Sequence, residues 1–260
     1  MRNNLIIFIT ALLTLMGAQE VMGASTKVKR YELKVNDFTS LDVEDGYNVD
    51  YRCSEDSAGM AVYETTPRIA DAIIFENNKG KLTIQKPFHG EGELTEGLPT
   101  IRVYSRFLKE VRNCGDSTVR VLTLRPTMEV KAFVVGNGRL VVRDVECAKF
   151  DGAIKTGNGT LVASGTCDTA ILSNTGTGAI QADNLKAKEV SARFFGTGTT
   201  GVWATDLLKI KGVMAGKLYF RDKPAKIKNY SMGVKIYTLE GMEWKESPEE
   251  RAANTGDKEQ

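Results

Sequence analysis

Short apolar segments separated by glycine-rich turns recur along the second half of the chain. β-Branched and aliphatic residues dominate these segments, and no helix-capping sequence precedes them. This pattern is typical of short β-strands. The segments before a turn are Val130–Val134, Lys149–Ile154, Glu189–Phe194 and Leu207–Val213, and those after a turn are Arg139–Val142, Thr160–Ala163, Ala179–Ala182 and Lys217–Phe220.

The turns contain Gly-x-Gly, and their spacing along the chain is regular. The last glycine of each turn follows the previous one by 21, 19 and 20 residues, in the series Gly138, Gly159, Gly178 and Gly198. A fixed period near 20 residues is the signature of a solenoid. Because glycine accepts positive φ without steric cost, we expect these four residues at the corners of coils, several of them with positive φ.

The period predicts an all-β fold, a parallel β-helix or β-solenoid with coils of about 20 residues. One such coil cannot bury its own apolar side chains, whereas stacked coils place Leu140, Leu161 and Ile180 above one another in a continuous core. An antiparallel sandwich with glycine-rich hairpins is the alternative, although hairpins do not predict so regular a period.

The first residues predict export from the cytoplasm. Arg2 precedes the apolar run Leu5–Met16, and small residues follow up to Ala24. This order describes a signal peptide, and the run is shorter than the roughly 20 residues that a membrane span needs. No later segment is apolar enough to span a bilayer. The predicted divisions are the signal peptide 1–24, a less regular β-rich N-terminal part 25–110, the Gly-x-Gly coils 111–242 and a polar disordered tail 243–260.

Charge and cysteine content narrow the choice of partners. The formal net charge is +2 without a dense basic cluster, which argues against nucleic acid. The four cysteines lack CxxC spacing and His89 is the only histidine, so we expect neither a metal nor a cofactor. Cys147 and Cys167 follow Leu140 and Leu161 by seven and six residues, so they form either a disulfide between adjacent coils or a stacked pair of thiols.

The last coils carry aromatic residues that are candidates for surface binding. Exposed in a row, they would form a stacking platform for sugars or a contact patch for a protein, whereas alternation along a strand turns some of them into the core. The candidates are Phe194, Phe195, Trp203, Tyr219 and Phe220.

Catalytic chemistry finds little support in the sequence. A glycan-cleaving enzyme on such a fold needs carboxylates clustered on one face. The candidate carboxylates are irregularly spaced along the chain, which favours solvated carboxylates instead. No nucleophile motif is present. We therefore predict no catalytic residue, after weighing the carboxylates Asp144, Asp151, Asp168 and Asp183.

Most of the chain, roughly from Tyr31 to Tyr237, resembles a known family. The residues on which the resemblance rests are Phe38, Leu41 and Val43, then Gly46-Tyr47-Asn48-Val49, Gly80–Ile84 and Ile101–Tyr104, followed by the Gly-x-Gly coils. This order resembles the putative auto-transporter adhesin, head GIN domain family, although Tyr47 stands where an isoleucine is expected. The resemblance implies a right-handed β-helix, an exported bacterial protein and no catalytic residues to carry over.

Three functions remain open from the sequence. The first is a non-enzymatic cell-envelope or adhesin-like protein whose solenoid surface binds glycan or protein. The second is an envelope protein that binds a small ligand or a lipid, and the third is a glycan-active lyase or hydrolase. The predicted location is the periplasm, the outer membrane or the extracellular space, and the sequence leaves the oligomeric state open.

Overall fold

The computed structural model describes residues 27–86 and 97–244. The predicted signal peptide, His89 and residues 245–260 of the predicted tail lie outside the described residues. The described part of the chain contains seventeen strands and one short helix. The N-terminal elements are β1 Lys29–Lys34, β2 Ser40–Val43, β3 Asn48–Cys53, β4 Met60–Thr65, α1 Pro67–Ala70, β5 Ile74–Asn78, β6 Lys81–Gln85, β7 Thr100–Ser105, β8 Glu110–Asn113 and β9 Thr118–Thr123. The later strands are β10 Thr127–Val135, β11 Arg139–Thr156, β12 Thr160–Asn174, β13 Ala179–Phe194, β14 Thr199–Gly212, β15 Lys217–Phe220, β16 Lys226–Ser231 and β17 Lys235–Thr238.

The second half is a parallel β-solenoid of about six turns, with successive turns about 20 residues apart. Strands β10 to β14 pair in parallel in chain order, and β14 then pairs with both β15 and β16. Register shifts mark the places where the long strands bend around the coil, for example between Val142 and Val145. The predicted solenoid is therefore confirmed, and its parallel ladders exclude the alternative built from hairpins.

The core is a set of inward-facing columns that continue from coil to coil. Leu140 pairs with Leu161, and Leu161 with Ile180, so the predicted stack forms. Thr200 and Leu218 extend the same column, and all five residues are buried. Each coil thus covers the apolar surface of its neighbour, which one coil alone cannot do.

The N-terminal part joins the same ladders in a different chain order. Strand β2 lies between β6 and β8, and β3 lies between β7 and β9, in both cases with parallel pairing. Antiparallel pairs of β1 with β4 and of β5 with β6 flank this region. The core is most aromatic here, where the buried rings of Phe38, Tyr47 and Tyr51 lie.

Close packing explains the turn glycines. The residues after Gly159, Gly178 and Gly198 donate their backbone N–H to the carbonyls of Gly138, Gly159 and Gly178 respectively, which stacks these glycines in one column. A Cβ on Gly159 would lie 2.7 Å from the carbonyl oxygen of Gly138. The expectation of positive φ in this column is wrong. Positive φ falls instead on the first glycine of two of the turns, with 122° at Gly136 and 80° at Gly157.

The chain remains paired to the end of the described residues. Glu243 bridges Tyr237, and the backbone N–H of Trp244 donates to the carbonyl of Ile236 over 2.8 Å. Two residues of the predicted tail therefore extend the ordered structure beyond β17.

Candidate functional site

Alternation along the strands decides which of the candidate aromatic residues face outward. Phe194 and Phe220 are 0% and 2% exposed, so these two candidates are core residues rather than surface ones. They occupy inward positions of β13 and β15, where successive side chains point to opposite faces of the sheet. Trp203 and Tyr219 face outward and are half-buried, and Phe195 is exposed at a corner.

Tyr219 belongs to an outward-facing column in which the residue type differs from one coil to the next. It pairs with Gly201 in the preceding coil and with Tyr237 in the following one. The rings of Tyr219 and Tyr237 stack with their centroids 5.1 Å apart and their planes 21° apart. Offset stacking of this kind fixes the orientation of both rings.

Trp203 lies two positions after Gly201 in the same coil. Two cationic side chains contact its ring. Lys186 is in register with Trp203, and its Nζ lies 5.3 Å from the ring centroid. The guanidinium carbon of Arg221 lies 5.2 Å from the same centroid. Both distances are within the range of a cation–π interaction, so the indole is held by charged groups rather than by apolar packing alone.

Arg221 is itself anchored to the coil two turns before it. Its Nε donates to the carbonyl of Asp183 over 2.6 Å, and its Nη2 donates to Oδ1 of Asn184 over 2.8 Å. Nη2 also lies 3.5 Å from the Asp183 carboxylate. This bridge spans the coil that carries Trp203, so Arg221 is preorganised against the indole.

Gly201 leaves room for the carboxylate of Asp183. A Cβ on Gly201 would lie 3.0 Å from Oδ1 of Asp183, so the carboxylate lies over a position that carries no side chain. We call Asp183, Lys186, Trp203, Tyr219 and Arg221, together with Tyr237, the aromatic site.

Sequence reasoning named Trp203 and Tyr219, but it treated Asp183 as an isolated carboxylate and missed Lys186 and Arg221. Alternation in Tyr219-Phe220-Arg221 was the available signal for Arg221.

Phe195 lies away from this site, at the corner before β14. Its backbone N–H donates to Asn174, and the N–H of Met232 makes the equivalent bond to Gly212, which places Phe195, Val213 and Met232 in one column. These three side chains are 60%, 68% and 71% exposed. We call this column the apolar ridge.

The candidate carboxylates do not converge on one face. Asp168 pairs with Lys188 at 2.8 Å, whereas Asp183 pairs with Arg221. Among residues 27–86 and 97–244, no group of three or more histidine, cysteine or acidic side chains is placed to hold a metal ion. None of the helices in these ranges is long and apolar enough to cross a membrane.

The structure brings Cys147 and Cys167 together. They are in direct register between β11 and β12, and both are free thiols. The disulfide between them remains a prediction. The thiols lie on a groove beside Lys186, whose side chain also contacts Trp203 of the aromatic site.

The stacked parallel coils define a β-solenoid protein. The chain belongs to the family described as Putative auto-transporter adhesin, head GIN domain, whose model matches residues 37–224. This confirms the resemblance seen in the sequence. The adhesin character of the family suggests an exported, non-enzymatic protein that binds other molecules, without naming a partner.

Solved structures share the fold at low sequence identity. A putative adhesin from Bacteroides fragilis NCTC 9343 has 20% identity and a TM-score of 0.72, covering 83% of this chain and 99% of that chain. A protein from Parabacteroides distasonis ATCC 8503 named as a putative lipid binding protein has 18% identity and a TM-score of 0.66, covering 83% and 98%. A putative adhesin from Parabacteroides merdae ATCC 43184 has 16% identity and a TM-score of 0.60, covering 83% and 98%. The search of curated proteins found no match.

Proposed function

We propose that this protein is an exported, non-enzymatic cell-envelope protein of the adhesin type, and that it binds glycan through the aromatic site. Residues 1–24 direct its export, after which the signal peptide is removed. The solenoid is the scaffold, and its outward columns supply the binding surface.

The outward aromatic rings of Trp203 and Tyr219, beside a fixed carboxylate–guanidinium pair, carry this proposal. The apolar C–H face of a sugar ring packs against aromatic side chains, which buries area without ordering a flexible side chain. Asp183 accepts and Arg221 donates hydrogen bonds, so together they complement both the donor and the acceptor side of sugar hydroxyls.

The rigidity of the site favours binding. Trp203 and Tyr219 lie on strands, and contacts within the group hold the surrounding side chains: Arg221 on Asp183 and Asn184, and Tyr219 on Tyr237. A site that is already ordered loses less conformational entropy when it binds, which increases affinity.

A glycan array tests the proposal. Mature protein without residues 1–24 is labelled and applied to bacterial and host polysaccharides, alongside the variants Trp203→Ala and Phe133→Ala. Phe133 is a matched control because it is another half-buried aromatic residue with a cation, Lys155, 4.5 Å from its ring centroid. We expect Trp203→Ala to lose the signal and Phe133→Ala to keep it. Equal loss in both variants, or no glycan bound by the mature protein, contradicts the proposal. Shortening of a bound glycan would favour an enzyme instead.

The apolar ridge favours a second candidate function, binding of a lipid. Cationic side chains lie on both sides of the ridge, Arg193 and Lys211 before the corner and Lys217 and Lys235 after it, and all four are exposed. Apolar side chains between cations match the acyl chains and the anionic headgroups of a membrane surface.

Sedimentation with vesicles separates this candidate from the first. The mature protein and its variants Phe195→Ser and Met128→Ser are mixed with vesicles of phosphatidylglycerol or of phosphatidylcholine. Met128 is the matched control because it is equally apolar and 77% exposed, but lies outside the ridge. Binding to the anionic vesicles that Phe195→Ser alone weakens supports the lipid candidate. Absence of binding, or an equal effect of both changes, rejects it.

A further inference from the structure

A groove follows one corner of the solenoid, and its wall contains two cysteines. The groove has a volume of about 440 Å³ and receives residues from successive coils. Cys147 and Cys167 lie on it, between the charged side chains of Glu146, Asp168 and Lys186. Two cysteines thus line a groove that is large enough for a peptide-sized molecule.

The strands place the two cysteines within disulfide-bonding range. Cys147 and Cys167 are direct partners in the parallel ladder of β11 and β12. Neighbouring strands lie about 4.8 Å apart, which is inside the range of about 4.4–6.8 Å that Cα atoms of a disulfide occupy. The Cα spacing of the two cysteines is therefore compatible with a bond between their sulfur atoms.

The two thiols differ in exposure and in acidity. Cys147 is half-buried, whereas Cys167 is only 8% exposed. Interaction with the Cys167 thiol lowers the pKa of Cys147, backbone hydrogen bonds with Val130 and Lys149 act in the same direction, and burial opposes them. Interaction with Cys147 and burial raise the pKa of Cys167. The more exposed sulfur is therefore also the one that is more easily ionised.

We propose that Cys147 and Cys167 form a thiol–disulfide exchange site, in which Cys147 attacks a disulfide of a small peptide that enters the groove and Cys167 completes the exchange. This site shares Lys186 with the aromatic site, but its function does not depend on glycan binding. It differs from a structural disulfide because the coils are folded while both cysteines are free thiols.

The exchange proceeds in two balanced steps. The Cys147 thiolate attacks one sulfur of the disulfide R–S–S–R′, which forms Cys147–S–S–R and releases R′S⁻. The Cys167 thiol then loses its proton to solvent, and its sulfur attacks Sγ of Cys147, which forms the Cys147–Cys167 bond and releases RS⁻. The two protein thiols are oxidised, and the peptide disulfide is reduced to two thiols.

Oxidised glutathione, a small peptide disulfide, is the probe for this site. Reduced, folded protein is incubated with it, quenched by alkylation and analysed by peptide mass spectrometry. We expect the Cys147–Cys167 disulfide in the wild type and a mixed disulfide of Cys147 with glutathione in Cys167→Ser. In Cys147→Ser, we expect modification of Cys167 to be slower by about tenfold or more, because the thiolate is the nucleophile. The assigned order is contradicted if Cys167 in the Cys147→Ser variant reacts as fast as Cys147 does in the Cys167→Ser variant.

Cys114 provides an internal control in every sample. It is half-buried like Cys147, but burial raises its pKa. In the wild type before any oxidation, iodoacetamide should therefore alkylate Cys147 faster than Cys114, and both should become equally reactive in urea. A pair that reacts with oxidised glutathione only in urea overturns the proposal, because it would then be a buried pair without access from the groove. Circular dichroism on each variant shows that the fold is retained.

Discussion

Gly178 packs directly against the carbonyl oxygen of Gly159 in the preceding coil. A Cβ on Gly178 would overlap that oxygen, and the next residue, Ala179, donates its backbone N–H to the same oxygen over 3.0 Å. The glycine column therefore exists because adjacent coils approach each other too closely at this corner for any side chain. Its spacing of about 20 residues records the length of one coil.

Gly178→Ala tests this close approach. The added methyl group must separate two coils or break the hydrogen bond beside it, and overpacking of this kind costs about 1–3 kcal/mol. We expect a corresponding loss in the free energy of unfolding measured with urea. Thr177→Ala is the control, because Thr177 is exposed in the same turn. Equal stability of the two variants would show that the coils have room for a side chain at the column.

Asn174 stabilises a turn from inside the core. Its buried Nδ2 donates to the carbonyls of Gly178 and Thr199, over 3.0 and 3.2 Å. Asn174→Ala leaves both carbonyls without this donor, at a cost on the order of 1–3 kcal/mol. The control Asn137→Ala removes an exposed side chain that accepts one hydrogen bond at the equivalent corner. Thermal unfolding should show the larger decrease in Tm for Asn174→Ala, and the opposite order would contradict this role.

Tyr47 makes stability sensitive to alkaline pH. Burial, with a smaller contribution from Asp45, raises the pKa of Tyr47 to about 12, and its hydroxyl donates to the carbonyl of Ala72. The unfolded tyrosine ionises near pH 10, so the stability linked to Tyr47 is fully present below about pH 10 and is lost between about pH 10 and 12.

Urea unfolding of the wild type and of Tyr47→Phe at pH 8 to 11 checks this linkage. Tyr47→Phe should be less stable at pH 8, because it lacks the hydrogen bond, and should lose less stability as the pH rises. Parallel curves for the two proteins would show that Tyr47 does not titrate differently on folding. Tyr51, whose pKa burial also raises, is present in both proteins and does not change the comparison.

The sequence predicted the coils better than the N-terminal part, for a physical reason. Coil pairing links residues about one period apart, so Leu140, Leu161 and Ile180 could be aligned by counting from the turns. Strand β2 instead pairs with β6 and β8, and Ser40 pairs with Lys81 and Glu110. Such distant partners leave no periodic pattern in the sequence.

The aromatic site was predictable only in part. The surface candidates came from the aromatic content of the last coils. The inward positions of Phe194 and Phe220 depend on the residue at which the inward–outward alternation of each strand begins. Arg221 reaches Asp183 across two coils, and that bridge depends on the glycine at position 201 between them. Contacts of this kind follow from the stacking and are not encoded in any local motif.

The central claim is that the aromatic site binds glycan, and Gly201→Val tests it most directly. A valine fits a strand, but its side chain would occupy the space of the Asp183 carboxylate, which must move away from Arg221. Isothermal titration with the glycan selected on the array should show at least about tenfold weaker binding for Gly201→Val, or about 1.4 kcal/mol, while the control Phe133→Ala keeps the wild-type Kd. Unchanged affinity in a folded Gly201→Val protein would contradict the account.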